Sequence, residues 1–552
     1  MIYGRSNDKK SWVPWALFLF CLYQATVWFI WVIPSRYYVG FDEGWHLEIS
    51  QLLYYNLVDN GILGLLRSFL HAMQSKPPLV SLLPVPMYLL FGNHAWVAAT
   101  VNLIWLLLLT VFLFRLVKYF WGEGPAFIAC VSLQTMPLFP GLSRMVMAEY
   151  GTAVLAVMFI YYLFVWPPSL RRAVYLGIIL GLGQLEKVLF LTYVIFPIFW
   201  SLYTEFRENQ KKIGYPPFRF WLLTVGIAFL LAAPWYITNL KPLWEYTFQA
   251  SYGDIADVYR LGKSLSDIKA LGLYIVFFVN DGTTAYQTLL LGICWVGALV
   301  KNRENKQENT FQITIGIMLW FAGPFLIFLP SLYRNLKFMM PFFAPFSIAL
   351  GVFMWKFLKC YRWRWAIAAA LLLWPNFAIL YASFPLGHLN QPYQRIKVGP
   401  FALLPQSGYL GFPREGRWPY KEILEYVAAD GACLKLSTGK HPTLGMVCDM
   451  SDFNCYTMRY NQKKLRLPVE VYWAPIGGRA DPRYDLPAAL SIASQKDYLV
   501  FRSMSPTEIG FTNKFNDQIR QRINSGDLPY KLLKEFPLPD NTHSLIYKRI
   551  SG

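Results

Sequence analysis

The sequence predicts an α-helical protein that crosses a membrane many times and ends in a soluble α/β domain. Hydrophobic residues make up 55% of the 552 residues and charged residues only 15%, which is typical of polytopic membrane proteins and unlike an ordinary soluble domain. About eleven apolar windows approach the roughly 20 residues that cross a bilayer. They all lie before residue 386, so we expect a membrane domain at 1–385 and a separate α/β domain at 386–552.

The predicted spans follow one another with short polar connections. They lie near residues 12–33, 94–117, 125–141, 146–166, 173–185, 188–204, 218–238, 284–300, 311–330, 338–356 and 364–384. The first window is too long for a signal-peptide core and has no small-residue cleavage site, so we expect it to remain as a span. The window at 173–185 is short enough to be a re-entrant or broken helix.

Basic residues predict the orientation of these spans. If the N-terminus is inside, nearly every inner connection carries lysine or arginine, for example Lys9 and Lys10, Arg171 and Arg172, and the segment 356–364. This is the positive-inside pattern. An odd number of spans then places residues 386–552 on the outer side, together with the first loop and the turn from Ser143 to Tyr150.

The C-terminal part alternates between helical and strand-like segments. WPYKEILEYVAADG and FNDQIRQRINSG have helical spacing, whereas DYLVFRS, YKLLKEFPL and HSLIYKRI favour strands. A small domain with a mixed sheet fits this order. We find no catalytic constellation in it and expect it to cover a cavity in the membrane domain or to bind an acceptor. Cys448 and Cys455 could close a small loop there in an oxidising compartment.

Two adjacent acids, Asp42 and Glu43, follow the first span in the segment SRYYVGFDEGWH. At a bilayer centre each aspartate costs roughly 2.5–3.5 kcal/mol, so such a pair indicates chemistry at the membrane surface. The alternative is a helix N-cap, which would explain one acid but not both. The next residues, GWHLEISQLLYYNLVDN, have the spacing of a helix lying in the interface, with Glu48 on its polar side.

The net charge of +19 at pH 7 narrows the classes of partner. The basic residues form short clusters between apolar runs and no nucleic-acid-binding motif, so we expect no nucleic acid. Anionic lipid head groups of the bilayer and phosphate groups suit these clusters. His46 and His71 lie near the acids without regular ligand spacing. We therefore predict no required cofactor or metal, while a divalent metal at the acids stays an open alternative.

Several motifs, taken in order, carry a family resemblance. They are DE at 42–43, KPPL at 76–79, SRMVMAE at 143–149, GLGQLEK at 181–187, APWY at 233–236 and RNLKFMMPFFAP at 334–345. The set resembles GT-C glycosyltransferases, and within them the branch of protein O-mannosyltransferases and bacterial lipid A aminoarabinose transferases. Three positions depart from that branch: Ser75 precedes KPPL where an acid is usual, Lys337 and Phe338 replace an Arg-Tyr pair, and Glu186 stands beside Lys187.

The resemblance implies a multi-pass enzyme of the bacterial cytoplasmic (inner) membrane, with a cytoplasmic N-terminus and a periplasmic C-terminal domain. Such an enzyme moves a sugar from a polyprenyl-phosphate donor to a glycolipid, glycan or protein acceptor on the outer face. Its expected roles are cell-envelope glycan assembly, lipid A modification or protein glycosylation. The first-loop aspartate of the family lies at the catalytic centre and is read as the base.

The same chemistry follows from the residue types. Asp42 is the candidate base for an acceptor hydroxyl, and Glu43 would orient it, bind sugar or hold a metal. We expect Glu149 and Glu48 to bind sugar or acceptor, although Glu149 could pair with Arg144 and Glu48 could lie on a solvated helix face. The candidate clamp on the departing phosphate is formed by four cations: Lys76, Lys187, Arg334 and Lys337.

Other interpretations of these cations and of the whole chain stay open at this point. Basic side chains at span ends often only reach back to the interface, and Lys187 could pair with its neighbour Glu186. A transporter or flippase of lipid-linked sugars would show internal repeats and mid-membrane charges, of which only Glu186 and Lys187 are candidates. A non-catalytic scaffold would leave Asp42 replaceable.

Overall fold

The computed structural model describes most of the chain. The described residues are 11–36, 39–209, 217–253, 268–301, 308–328, 335–384, 397–402, 410–414, 416–432, 439–448, 450, 452–474, 486–503 and 510–550. Arg334, one of the predicted phosphate ligands, lies outside them.

The first two-thirds of the chain is helical. Its α-helices are α1 (Val13–Val32), α2 (Phe41–His71), α3 (Leu79–Leu82), α4 (Pro84–Phe91), α5 (Ala95–Ala99), α6 (Val101–Trp121), α7 (Glu123–Gln134), α8 (Leu138–Ser143), α9 (Ala148–Val165), α10 (Leu170–Glu186), α11 (Phe190–Asn209), α12 (Pro217–Ser251), α13 (Ile268–Phe277), α14 (Ala285–Lys301), α15 (Glu308–Phe328), α16 (Phe343–Leu358) and α17 (Arg364–Ser383). A π-helical turn, Phe278–Thr283, follows α13, and a 3-10 segment, Leu336–Phe342, precedes α16.

Across the described ranges every predicted span overlaps one or two helices, and the chain is a multi-pass membrane protein. Within the described residues, six helices have the length and hydropathy to cross a membrane: Val13–Val32, Ala95–Trp121, Ala148–Val165, Arg219–Ser251, Leu336–Leu358 and Arg364–Ser383. The pair Ile268–Thr283 and Ala285–Val300, bent by 94°, gives up to seven. The count of eleven stays a prediction.

Two predicted spans have a different form from the one expected. The window at 173–185 belongs to one continuous 17-residue helix, α10. The window at 125–141 is divided into α7 and α8, because the chain leaves helical geometry at Thr135 and resumes after Pro137. Proline lacks the backbone N–H that a continuing helix would need, so it suits the start of the second helix.

Helix α9 lies in the centre of the membrane core. Tyr150, Val154 and Phe159 on it are fully buried, as are Trp320 and Phe342 from elements packed around it. A helix with buried apolar side chains on all of its faces is typical of a span surrounded by other spans. The N-terminal end of α9 is therefore a fixed reference for any site formed there.

The C-terminal part is the mixed α/β unit that the sequence predicts. Its elements are β1 (Lys397–Val398), β2 (Phe401–Ala402), α18 (Tyr420–Asp430), β3 (Thr443–Met446), α19 (Cys455–Leu465), β4 (Glu470–Trp473), α20 (Leu486–Ser494), β5 (Tyr498–Arg502), α21 (Gly510–Asn524), β6 (Tyr530–Pro537) and β7 (His543–Arg549). Five strands form one sheet in the order β4-β3-β5-β7-β6. Strand β3 is parallel to β4 and β5, whereas β7 is antiparallel to β5 and β6.

Alternating residues of β5 serve the two faces of this sheet. Tyr498 and Val500 belong to the core beneath α18 and α19, whereas Leu499 and Phe501 pack with α20 and α21. The period of two is that of a strand covered on both sides. Cys448 and Cys455 are both buried in the first of these cores.

Helix α19 joins the C-terminal unit to α2. Arg459 on α19 forms an ion pair with Glu48 on α2, Nη2 to Oε1 at 2.9 Å. The Thr457 hydroxyl donates to the Val39 carbonyl at 3.2 Å, and the Tyr55 hydroxyl donates to the Lys464 carbonyl at 2.7 Å. Gly44 permits this approach, since an added Cβ would lie 3.0 Å from the Thr457 backbone nitrogen.

Helix α2 itself is bent. Its bend is at Gly61, whose φ of 67° lies in the left-handed region that favours glycine. Residues before the bend carry the contacts to α19, so the N-terminal half of α2 is the part held between the membrane helices and the C-terminal unit.

Removal of the Arg459 guanidinium should destabilise the protein. Glu48 has only 4% of its side chain exposed, so Arg459→Ala leaves a buried carboxylate without its cation. We expect a loss of about 1–3 kcal/mol in the free energy of unfolding, measured by denaturant titration in detergent. The matched control is Arg466→Ala: its pair with Asp59 is about half exposed on both sides, so a clearly smaller loss is expected. Equal effects of the two substitutions would contradict this account.

Candidate active site

Asp42 lies at the start of α2 and contacts a lysine that is 295 residues later in the sequence. Its carboxylate forms an ion pair with the ammonium of Lys337, which belongs to the 3-10 segment before α16. The Asn335 side chain accepts a hydrogen bond from the Lys337 backbone N–H at 3.0 Å and so caps that segment. The Lys337 side chain is 8% exposed and that of Asp42 is 37% exposed, so the pair is open from the Asp42 side.

The surroundings keep Asp42 ionised. Burial opposes its ionisation, but the charges of Lys337 and Lys76 outweigh burial and hold the pKa of Asp42 well below its ordinary value. A carboxylate of such low pKa is a weak base while its lysine partner stays in place. Efficient proton transfer to Asp42 therefore requires that Lys337 be drawn away or its charge be compensated.

Glu43 serves the backbone around the site. It is buried, and its Oε1 accepts from the Val146 N–H at 2.9 Å while its Oε2 accepts from the Gly40 N–H at 3.2 Å. These bonds cap α2 and fix it to the turn between α8 and α9. Burial raises the pKa of Glu43 to about 7, against the two backbone bonds that lower it. Of the three roles open for Glu43, these contacts favour the orientation of Asp42; its catalytic assignment stays a prediction.

Lys76 lies in an aromatic surrounding. Its ammonium is 4.0 Å from the ring centroid of Trp45 and 5.7 Å from that of Tyr246. Trp45 in turn stacks on Tyr456 of α19, with ring centroids 5.4 Å apart. Among the described residues, no carboxylate forms an ion pair with Lys76. Its charge is therefore available to an anion, while the aromatic faces stabilise it.

Glu149 and Lys187 form a second buried ion pair. Lys187 Nζ is 2.8 Å from Glu149 Oε1, and the two side chains are 12% and 6% exposed. The Lys187 ammonium also lies over the ring of Phe338, 4.2 Å from its centroid, and Phe338 directly follows Lys337 in the sequence. Neither pairing considered from the sequence is formed: Arg144 donates to the Ser383 hydroxyl at 2.9 Å, and Lys187 turns to Glu149 rather than to Glu186.

The remaining sequence-predicted residues lie apart from this cluster or contribute differently. Glu48 pairs with Arg459 in the contact to α19, which favours a structural role; its predicted substrate contact stays untested. His46 is buried, and burial together with Lys76 lowers its pKa to about 3, so it is neutral. Within the described ranges, no group of three or more His, Cys, Asp or Glu side chains is arranged to hold a metal ion.

The five clustered groups leave one positive charge. Asp42 with Lys337 and Glu149 with Lys187 are neutral pairs, and Lys76 is the cation without a carboxylate. A site with this balance suits a singly charged anion such as a phosphodiester.

The sequence did not reveal the aromatic residues around Lys76, which are Trp45, Tyr246 and Tyr456. Of these three, only Trp45 could have been found from the sequence, because it follows Asp42 by three residues and so lies on the same face of the helix.

Sequence comparison gives a partial family match. A family model described as dolichyl-phosphate-mannose-protein mannosyltransferase matches residues 75–238, a segment that contains Lys76, Glu149 and Lys187. A comparison with curated protein sequences finds no match.

Solved structures match over nearly the whole chain. ArnT from Cupriavidus metallidurans bound to undecaprenyl phosphate superposes with a TM-score of 0.57 at 14% identity, covering 98% of this chain and 99% of that one. The archaeal oligosaccharyltransferase AglB from Archaeoglobus fulgidus, in complex with an inhibitory peptide and a dolichol-phosphate, gives 0.55 at 13% identity, covering 98% and 74%. These findings confirm the resemblance to GT-C glycosyltransferases, and the structural likeness shows a shared fold.

Substitution of Glu43 should change how stability depends on pH. The folded pKa of about 7 exceeds the ordinary value of 4.5, so between these pH values the native protein holds a proton that the unfolded chain has released. Glu43 therefore lowers the free energy of unfolding as pH rises through this window, and no further above it. We expect Glu43→Gln to make the decline between these pH values shallower, as measured by denaturant titration at a series of pH values.

The control for this experiment is Glu425→Gln. Glu425 lies on α18 with half of its side chain exposed, so the variant should follow the wild-type pH profile. A Glu43→Gln profile parallel to that of the wild type would show that Glu43 is not held protonated in the folded protein.

Proposed function

We propose that the protein is a membrane glycosyltransferase that moves a sugar from a polyprenyl-phosphate donor to an acceptor hydroxyl or phosphate. The observation that carries this proposal is the placement of Asp42, at the start of α2, near Lys76 and two further lysines. Lys76 forms no ion pair with a carboxylate in the part of the chain that the structure describes. Transfer from a lipid phosphate needs such a base for the acceptor and cations around the departing phosphate. The fold is shared with proteins whose structures contain undecaprenyl phosphate or a dolichol-phosphate.

In this mechanism Lys76 binds the donor phosphate. Asp42 accepts the proton of the acceptor hydroxyl while the hydroxyl oxygen bonds to the anomeric carbon. The bond from that carbon to the donor phosphate oxygen breaks, and polyprenyl phosphate leaves with the electron pair. Glu149, positioned by Lys187, is placed to accept hydrogen bonds from sugar or acceptor hydroxyls. Glu43 holds the start of α2 against the turn before α9, so that the base and the cations keep their separation. No step requires a metal.

The arrangement of helix ends supports the proposed orientation. Ser11, just before α1, donates to Glu123 at 2.5 Å, and Lys118 bonds the same carboxylate at 2.7 Å. Trp12 packs on Trp365, at 4.7 Å between ring centroids. The start of α1, the α6–α7 junction and the start of α17 thus share one end of the helix bundle, where the basic connections concentrate. We assign this end to the cytoplasm of a bacterial inner membrane.

The opposite end of the bundle carries the site. Asp42, Lys337 and the turn before α9 meet there, and α19 of the C-terminal unit contacts the same stretch of α2. We therefore place residues 386–552 in the periplasm as a cover over the donor site formed by residues 1–385. The glycolipid, glycan or protein acceptor would enter between the two.

Replacement of Asp42 by asparagine tests the proposed base. Asp42→Asn keeps the size of the side chain but cannot take the proton, so transfer should fall by about 10²–10⁴. The assay supplies the purified chain with undecaprenyl-phosphate-linked radiolabelled sugars and a set of lipid A, glycan and peptide acceptors. Asp59→Asn, an exposed acid on the same helix, is the control and should keep wild-type turnover.

Near-normal transfer by Asp42→Asn would remove the base from the mechanism. Movement of the labelled lipid across vesicles without any glycosylated product would instead support a transporter or flippase of lipid-linked sugars.

A further inference from the structure

Lys337 lies where it can serve two anions in turn. We propose that Lys337 exchanges partners during transfer, moving from the Asp42 carboxylate to the departing phosphate as Asp42 takes up the acceptor proton. This inference rests on the proposed function and concerns a hydroxyl acceptor. It goes beyond the phosphate contact expected for Lys337 from the sequence, because it makes the release of Lys337 depend on proton uptake by Asp42.

The local structure separates a fixed backbone from a movable ammonium group. The segment around Lys337 is anchored by the Asn335 cap, by the fully buried Met339 and Met340, and by a 2.8 Å bond from the Tyr193 hydroxyl to the Phe338 carbonyl. The lysine side chain is a compact charge on a flexible stem. Its ammonium can therefore shift between neighbouring anions without movement of the backbone.

Lys337, Lys76 and Lys187 lie close to one another around the Asp42 carboxylate. The charges of Lys337 and Lys76 both act on Asp42, whereas the neighbouring His46 is neutral. Lys187 is bound to Glu149 at 2.8 Å, with both side chains deeply buried. Asp42 is by contrast 37% exposed, so the Asp42–Lys337 pair is the one that an incoming hydroxyl and phosphate can reach.

The charge balance of the reaction requires a second cation. The donor is a phosphodiester with one negative charge, which Lys76 can match. As the acceptor oxygen bonds to the anomeric carbon, the bond from that carbon to the phosphate oxygen breaks. Its electron pair stays on the oxygen, so the phosphate becomes a monoester with a second negative charge.

The proton released in this step removes the charge that held Lys337. It passes from the acceptor hydroxyl to Asp42, whose carboxylate becomes neutral as the phosphate becomes doubly charged. The net charge of the site is unchanged, and Lys337 now faces a stronger anion than its former partner. Proton uptake and leaving-group stabilisation are thereby coupled through one side chain.

This exchange can be tested by ligand binding to the Asp42→Asn variant, whose side chain resembles protonated Asp42. Asp42→Asn presents a neutral side chain, so the Asp42 charge no longer competes with the phosphate for Lys337 before any reaction. The probes are undecaprenyl phosphate, a monoester, and its methyl ester, a phosphodiester, titrated against the full chain in nanodiscs. We expect Asp42→Asn to tighten monoester binding about tenfold more than diester binding, and Asp59→Asn to change neither.

A second set of variants locates the effect on Lys337. In the Lys337→Gln background, Asp42→Asn should no longer favour the monoester over the diester. If Lys337→Gln lowers the melting temperature, the same comparison is repeated with Lys337→Met, which keeps most of the length of the aliphatic side chain. Lys337→Arg retains a cation and should preserve the preference, whereas Lys76→Ala should weaken both ligands alike.

Each outcome has a distinct meaning. Failure of the wild-type protein to bind undecaprenyl phosphate overturns the proposed function. Binding with equal gains for both ligands in Asp42→Asn, or a monoester preference that survives loss of Lys337, overturns the partner exchange and leaves the proposed function intact.

Discussion

The ion pair between Asp42 and Lys337 is the contact on which the organisation of the site depends. It joins the start of α2 to the segment before α16 and so closes the membrane domain at the end that carries the site. It also decides what each charge can do. With Lys337 occupied by Asp42 and Lys187 by Glu149, Lys76 is the lysine of the three that a phosphate can approach without breaking an ion pair.

The position of Asp42 is fixed from three directions. Glu43 ties the start of α2 to the turn before α9. Arg459 of the C-terminal unit pairs with Glu48 on the same helix, and Trp45 on that helix contacts both the Tyr456 ring and the Lys76 ammonium. A reactive group built on a helix and supported by several elements keeps its geometry better than one on a free loop. The C-terminal unit thus contributes to the site through contacts to α2, although the charged groups at the centre come from the membrane domain.

Much of this architecture was predictable because it follows from patterns local in sequence. Apolar windows located the helices, the strand-like apolar segment DYLVFRS located β5, and adjacent acids marked Asp42. The pairing of charges was not predictable in the same way. Glu186 ends α10 in helical geometry whereas Lys187 is extended, so the two neighbours diverge and Lys187 meets Glu149. Glu48 finds Arg459, 411 residues away, through a packing contact that no sequence pattern encodes.

The position of the donor phosphate tests the central claim most directly. We predict that an electron cryomicroscopy map of the chain with undecaprenyl phosphate in nanodiscs shows the phosphate beside Asp42. Its oxygens should lie about 2.7–3.2 Å from the ammonium group of Lys76, with the polyprenyl tail passing to the membrane helices. A phosphate bound at the end of the bundle that carries Ser11 and Lys118, or one out of reach of Lys76, would contradict the account.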